Sequence, residues 1–161
     1  SNGDPCLPTS LHYKDPSHHL NAYQQAISKV GEVIKPFDFD KRFSAWGFGG
    51  KVTGDVVSHR FNLNESAGET EVDGVDGILS AYSHALQRIT LGNDAAFGEV
   101  ITKAAELASQ SVLDTYSVLV IITAGVLADI QETIDALVGA SACPLSIIIV
   151  GVGGADFREM Q

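Results

Sequence analysis

One glycine-rich stretch, residues 46–51 (WGFGGK), has the composition of a phosphate-binding loop. The Walker pattern needs a glycine five residues before its Gly-Lys pair and a Ser or Thr directly after it. These groups, with the lysine and backbone N–H groups, hold the phosphates and their Mg²⁺. Ala45 and Val52 occupy the two positions in this chain. We therefore interpret the stretch as a structural turn rather than a nucleotide site.

A second glycine-rich stretch, residues 151–157 (GVGGADF), follows an apolar run, as a dinucleotide-binding loop would. Gly151 and Gly153 fit that pattern, but Asp156 stands where the third glycine belongs. A tight turn is the better interpretation of this stretch as well.

The other residues whose types could do chemistry are two adjacent histidines, two distant cysteines and a charged turn: His18, His19, Cys6, Cys143, Asp38, Asp40 and Lys41. Neighbouring side chains cannot easily face one metal ion, and two cysteines are too few for a zinc site. No His–Asp pair can be assigned to either cysteine, so we predict two buried thiols. The histidines are predicted to lie in a solvated loop, and the charged residues in an exposed turn. The sequence thus predicts no catalytic residues and no enzyme.

The composition indicates a globular domain without a nucleic-acid surface. Hydrophobic residues make up 45% of the 161-residue chain, enough for one sizeable core. The formal net charge is −10 and the basic residues are scattered, so neither nucleic acid nor an anionic membrane is an expected partner. No apolar run reaches the ~20 residues of a membrane span, and no signal peptide is expected. The low cysteine content favours a reducing, intracellular compartment.

Apolar periodicity predicts helices that alternate with strands. The predicted helices span residues 21–35, 74–89, 97–110 and 129–138, and the predicted strands span residues 43–48, 56–63, 116–122 and 145–150. Residues 1–20 and 64–73 are polar and are predicted as loops. The strand at 116–122 is apolar throughout, which is typical of a strand covered on both faces. The fold class is therefore α/β, with a doubly wound, mostly parallel sheet and helices on both faces.

Both ends of the chain depart from a complete fold of this class. A doubly wound sheet normally begins with a strand that becomes its centre, whereas this chain begins with a loop and a helix. After Gly154 the chain stops within the first turn of a predicted helix. We therefore expect a single domain, residues 1–161, that lacks its first strand and its last strand or helix.

Five stretches, in order and at matching spacing, resemble the A domain of copines, a von Willebrand factor A-like domain, and are closest to the plant-type copines. They are SNGDPCLPTSLHYKDP (residues 1–16), YQQAISKVGEVIKPFDFDKRFSAWGFGG (23–50), VSHRFNLN (57–64), EVDGVDGILSAY (71–82) and LSIIIVGVGGADFREM (145–160). The resemblance implies a six-stranded doubly wound sheet with a metal-ion-dependent adhesion site at the carboxyl ends of its strands. It also implies two preceding C2 domains that bind phospholipid in response to calcium, while the A domain recruits target proteins.

The resemblance also identifies the positions of the ion site. The family supplies oxygen ligands, which suit Mg²⁺, from an Asp-x-Thr-x-Ser loop, a Thr in a Gly-Pro-Thr-x-Phe-Gly loop and an Asp in a Thr-Asp-Gly loop. In this chain Ser1 matches the last residue of the first loop, Ala95 replaces the threonine and Ala124 replaces the aspartate. A methyl group has no lone pair to donate. The resemblance thus implies a degenerate site that has lost the Mg²⁺ or Mn²⁺ of the family, with Ser1 as its remnant.

Two origins of the alanines stay open: drift after the site fell out of use, and deliberate replacement. A third interpretation makes Asp94 a substitute ligand, because it lies one residue from the lost threonine. It is disfavoured, since a shift of one residue in a tight loop turns the side chain elsewhere.

In the family the absent first strand lies mid-sheet, between the strands predicted at 43–48 and 116–122. Each buried backbone group left unpaired costs on the order of 1–3 kcal/mol. The loss of a strand of ~5 residues is thus comparable with the stability of a whole domain, about 5–15 kcal/mol. We expect that the protein extends upstream, in preference to a strand from another chain or a fragment of low stability.

The predicted function is a non-enzymatic protein-binding module of a copine-like protein. We expect it in the cytoplasm, with recruitment to the plasma membrane only through C2 domains outside this chain. The predicted binding face is the rim of loops around the ion site: Asn2, Gly3, Gly49, Lys51, Asp94, Thr123 and Gly125. The protein partner is not indicated by the sequence.

Three alternatives remain beside this prediction. The chain could be a metal-dependent A domain if the missing ligands lie upstream, or the A domain of a RING-type ubiquitin ligase. A nucleotide-using α/β enzyme comes third and is disfavoured, because every candidate phosphate loop is incomplete.

Overall fold

The computed structural model describes residues 3–37, 41–52, 54–64, 71–92, 95–110, 115–125 and 127–158. The chain divides into two compact units, Ser1–Asn93 and Asp94–Gln161. The described elements of the first unit are α1 (Ala22–Ile34), a 3-10 turn (Lys35–Phe37), β1 (Arg42–Ser44), β2 (Trp46–Gly47), β3 (Gly50–Lys51), β4 (Phe61–Asn62), β5 (Glu71–Asp73), α2 (Gly74–Ala85) and β6 (Thr90–Leu91). Those of the second unit are α3 (Gly98–Gln110), β7 (Ser117–Thr123), α4 (Ile130–Ala140) and β8 (Leu145–Gly151).

Local sequence fixes both ends of α1. The side chain of Asn21 accepts a hydrogen bond from the backbone N–H of Gln24 (3.0 Å), and the side chain of Gln24 accepts one from the N–H of Asn21 (3.0 Å). This is a complete capping box. Pro36 follows the helix and cannot continue its hydrogen bonding. Gly31 lets α1 approach α2 closely, because a Cβ there would lie 2.3 Å from Val75 Cγ2.

Strands β1 and β2 each belong to a different antiparallel pair. β2 pairs with β4 through Trp46↔Asn62, and β1 pairs with β5 through Ser44↔Glu71. From Trp46 to Ser44 the chain position decreases by two residues. On the paired side, from Asn62 to Glu71, it increases by nine. The pairing register therefore shifts by seven residues between the two pairs. The two pairs are therefore separate two-stranded sheets, and residues 65–70 between β4 and β5 lie outside the described residues.

The prediction of a loop over residues 64–73 is wrong at its carboxyl end, because Glu71–Asp73 forms β5. Val72 of this strand is buried and joins Ala45 and Ala81 in the core of the first unit. Residues 65–70 lie outside the described residues. The acidic composition concealed β5, since three residues are too short for an alternating pattern to stand out.

The glycine-rich stretch at 46–51 belongs to this antiparallel structure. Gly50 pairs with Ser58 on one side and with Leu91 of β6 on the other. The N–H of Gly92 donates to the carbonyl oxygen of Gly49 (2.7 Å). The stretch thus lies in strand pairings and the tight turn at Gly49, where the backbone has φ +67°.

The second unit contains a parallel strand pair. β7 and β8 stay in register from Ser117↔Leu145 to Thr123↔Gly151, and α4 provides the crossover that a parallel connection requires. On one face of β7, Leu119 and Ile121 are buried. On the other face Val118 is exposed and Val120 and Ile122 are half-buried, so the covering predicted for both faces is complete on one face and partial on the other.

The mixed α/β class predicted from the periodicity is confirmed, and the four helices and the two long strands fall where the pattern placed them. The predicted strand at 56–63 is reduced to β4 and a bridge at Ser58. Residues 3–20 contain no strand, as predicted. The six-stranded doubly wound sheet and the single domain remain predictions. Of the helix predicted after Gly154, residues 155–157 are not helical, and residues 159–161 lie outside the described residues. None of the described helices is long and apolar enough to cross a bilayer.

Candidate functional site

The loop that follows β7 begins at a buried threonine. Thr123 is 1% exposed, and its carbonyl oxygen accepts a hydrogen bond from the N–H of Val152 (2.8 Å), beyond the end of β8. Its hydroxyl oxygen accepts a long hydrogen bond from the N–H of Gly125 (3.4 Å). Ala124 between them is also buried. The hydrogen bond between Val152 and Thr123 thereby joins the carboxyl ends of the two parallel strands. In open α/β sheets, ligands generally bind at this end of the strands.

A second loop lies against the first. Ala95 and Leu127 form an isolated parallel bridge, and the N–H of Ala128 donates to the carbonyl oxygen of Ala95 (2.9 Å). A Cβ added to Gly125 would lie 3.8 Å from the Cβ of Ala95, which is ordinary van der Waals contact. The structure therefore brings Ala95 together with the Thr123–Ala124–Gly125 loop.

Asp129 fastens the two loops together. Its carboxylate accepts hydrogen bonds from the N–H groups of Phe97 (3.2 Å) and Gly98 (2.9 Å) at the start of α3. It also accepts one from the hydroxyl of Thr133 (3.0 Å) in α4. The first amides of a helix lack partners within the helix and carry partial positive charge, so a carboxylate stabilises them. We call this arrangement the Asp129 clamp.

The residues around the clamp suit its geometry. A Cβ on Gly98 would lie 3.2 Å from Asp129 Oδ2, so a glycine leaves room for the carboxylate. Phe97, directly before α3, is 0% exposed. Sequence reasoning missed the clamp, although an acidic residue before a predicted helix, four residues ahead of Thr133, is a signal that could have suggested it.

The groups that meet in this site do not fit a magnesium ion. Ala95 and Ala124 present methyl groups, and the carboxylate of Asp129 is held by three hydrogen bonds. Mg²⁺ requires oxygen ligands in octahedral geometry. Within the described ranges, no three His, Cys, Asp or Glu side chains lie close enough to hold a metal ion. Ser1, Asn2 and Asp94 of the predicted face lie outside those ranges.

The remaining residues of the predicted face belong to the first unit. Gly3 accepts a long hydrogen bond at its carbonyl oxygen from the hydroxyl of Ser10 (3.4 Å). Gly49 lies in the turn already described, and Lys51 lies in β3 opposite Thr90.

The first unit also contains a buried polar cluster that sequence reasoning did not single out. His12 Nδ1 lies 2.8 Å from the hydroxyl oxygen of Tyr82 in α2, and Asn21 Nδ2 donates to the same hydroxyl (3.3 Å). The His12 ring stacks on Tyr23 of α1, with ring centroids 4.1 Å apart. The cluster therefore ties the amino-terminal loop to both helices of this unit.

Burial sets the protonation of this cluster. It lowers the pKa of His12 to about 4, because the charged imidazolium would lose its hydration. It also raises the pKa of Tyr82 above its ordinary value, for the same reason. His12, Tyr23 and Tyr82 all lie in stretches that contributed to the resemblance, but nothing in those stretches marks the three residues as neighbours.

The cysteines and the paired histidines show no catalytic arrangement within the described structure. Cys143 is half-buried, with its sulfur 3.2 Å from the hydroxyl of Ser109. Cys6 is exposed, which corrects the prediction of a buried thiol, and a hydrogen bond with Asp4 raises its thiol pKa. A proline-rich turn leaves it at the surface. His19 pairs with Asp15 (2.7 Å) at the surface.

Comparison with known proteins assigns the family. The family model described as Copine matches residues 10–161. The chain is 57% identical to Protein BONZAI 1 and 55% identical to Protein BONZAI 2 of Arabidopsis thaliana, in each case over the whole of this chain. The chain belongs to the copine family. It spans 28% of the length of each of these two relatives.

Proposed function

We propose that this chain is a non-enzymatic, protein-binding A domain of a copine-like protein, and that its binding face works without a metal ion. The observation that carries the proposal is the meeting of the two loops. Ala95 lies beside Gly125, where an added Cβ would be 3.8 Å from the Cβ of Ala95, and the carboxylate that joins the loops, Asp129, is bound to helix amides. A face closed by these bonds needs no cation to hold its loops together.

The same proposal includes the A-type fold. β7 and β8 are two strands of a doubly wound parallel sheet, and the binding face lies at their carboxyl ends. The support comes from the full parallel register of β7 and β8 and from the helical crossover between them.

The proposal also divides the work of the whole protein. The chain spans 28% of the length of each of the two BONZAI relatives. We assign calcium-dependent phospholipid binding, and recruitment from the cytoplasm to the plasma membrane, to C2 domains outside this chain. This domain, which has a formal net charge of −10, recognises the target protein.

A differential capture experiment tests the proposal. The immobilised chain is compared with a Gly125→Arg variant, whose long cation covers the loops, using extract of Arabidopsis thaliana and quantitative mass spectrometry. Gly125 has room for a Cβ, at 3.8 Å from its nearest neighbour, so the variant should fold. We expect a set of proteins retained by the native face and lost with Gly125→Arg, to the same extent with EDTA and with Mg²⁺.

The control is Val33→Ser, which changes an exposed residue of α1 in the other unit and should retain the same proteins. Retention that requires Mg²⁺ would favour the metal-dependent alternative. Identical retention by the native chain and Gly125→Arg would remove the loops as the binding face.

A further inference from the structure

Helix α4 has an apolar stripe on its outer side. Ile130, Ile134, Leu137 and Val138 are 44%, 46%, 37% and 68% exposed. Their spacing of four, seven and eight residues places them on one face of the helix. Thr133 and Ala140 are buried on a different side of the same helix. We call these four residues the α4 stripe.

Large apolar side chains are common singly on protein surfaces, but a contiguous row of them is not. Every turn of α4 contributes a member to the stripe, whereas most of the other exposed apolar residues of the described chain, such as Val33 and Val56, stand apart in sequence. The row therefore has the form of a surface that binds another helix. In such complexes the contacts come from residues spaced i, i+4 and i+7 along a helix.

The charge around the stripe is acidic. Helix α4 carries Glu132 and Asp135, both exposed, and no lysine or arginine. Residues 94–161 contain nine acidic and two basic residues. The two basic residues are already paired at the surface, Lys103 with Glu106 and Arg158 with Asp156. The field at α4 is thus negative and has no free cation among the described residues of this unit.

We propose that the α4 stripe is a docking surface for a basic amphipathic helix of a partner protein. The partner's apolar side chains pack on Ile134 and Val138, and its lysines or arginines lie beside Asp135, which borders the stripe next to Val138. A second copy of this chain is a poorer occupant, because it would bring the same acidic residues together. The proposal does not rest on the loop face, which involves different residues.

The test uses a synthetic amphipathic peptide of about five helical turns, with leucines on one face and lysines elsewhere. Its fluorescence anisotropy is followed as the chain is added, and NMR shifts of the labelled chain locate the contact. We expect binding with shifts centred on α4. The double variant Ile134→Ser/Val138→Ser should weaken it at least about tenfold, and so should a peptide with glutamates in place of the lysines.

Asp135→Lys separates the contribution of charge from that of apolar burial, because it leaves the α4 stripe intact. The variant should bind the peptide several-fold more weakly than the native chain. The difference should be larger at low salt than at high salt. Val33→Ser, on α1, and Gly125→Arg, on the loop face, should bind the peptide like the native chain.

Three outcomes would overturn the proposal: equal binding by the Ser variant, equal binding of the glutamate peptide, or loss of binding with Val33→Ser. Light scattering of the chain without peptide measures its oligomeric state separately. A dimer that dissociates in Ile134→Ser/Val138→Ser would make a second copy the occupant and would also overturn it.

Discussion

Replacing Asp129 with alanine should lower the free energy of unfolding by about 3 kcal/mol. The change removes the acceptor for the N–H groups of Phe97 and Gly98 and for the hydroxyl of Thr133. A hydrogen bond to a charged group contributes about 1.5–3 kcal/mol, and donors left without partners add to the loss. Urea denaturation followed by circular dichroism measures the effect, and hydrogen exchange should show faster exchange at the amides of residues 97 and 98.

The matched control is Asp135→Ala on the same helix. Asp135 is exposed and accepts a hydrogen bond from the side chain of Gln131 (2.9 Å), so its loss should change stability by less than about 0.5 kcal/mol. Asp129→Asn keeps one oxygen acceptor but removes the charge. Its loss of unfolding free energy should therefore lie between the losses of Asp129→Ala and Asp135→Ala. Equal losses for Asp129→Ala and Asp135→Ala would show that the clamp does not hold the loops.

The first unit should lose about 2 kcal/mol of stability between pH 7.5 and pH 5 because of His12. In the folded state burial holds the pKa of His12 at about 4, below the ordinary value of 6.5 that the unfolded chain adopts. The depressed pKa means that stability is complete above pH 6.5 and is lost as the pH falls toward 4. A difference of one pKa unit corresponds to about 1.4 kcal/mol, so most of the loss appears by pH 5.

Urea denaturation at several pH values, compared between the native chain and His12→Gln, isolates this effect, because the carboxylates titrate equally in both. The variant should be less stable at pH 7.5, since it loses the stacking on Tyr23, but its stability should fall less in acid. Val33→Ser, which changes an exposed residue without a titratable group, should keep the native pH profile. An unchanged profile in His12→Gln would contradict the buried, neutral imidazole.

The elements of the second unit could be predicted from sequence because their periodicity is strong. β7 and β8 are continuous apolar runs and α4 is amphipathic, so their positions follow from the pattern alone. β5 could not be predicted, because two of its three residues are acidic and its place is set by pairing with β1. Pairing between distant segments is tertiary information that a local pattern does not contain.

The candidate site was predictable in part. The resemblance directed attention to Ala95 and Ala124, but it described what the loops lack and not what holds them. The Asp129 clamp depends on the start of α3 lying beside the start of α4, a contact across 31 residues of chain. The His12 cluster likewise joins residues 70 positions apart. Polar groups buried by such contacts cannot be told from surface residues by type or spacing.

The central claim, a binding face that works without a metal ion, is tested most directly by thermal melting with and without metal. Any ligand that binds the native state raises its stability by RT ln(1 + [L]/Kd). With Ala95 and Ala124 at the ligand positions, millimolar Mg²⁺ or Mn²⁺ would gain little over water. We expect the same melting temperature in Mg²⁺, in Mn²⁺ and in EDTA. A rise in the melting temperature with either metal, reversed by EDTA, would contradict it, and Asp94 would then be the first residue to replace.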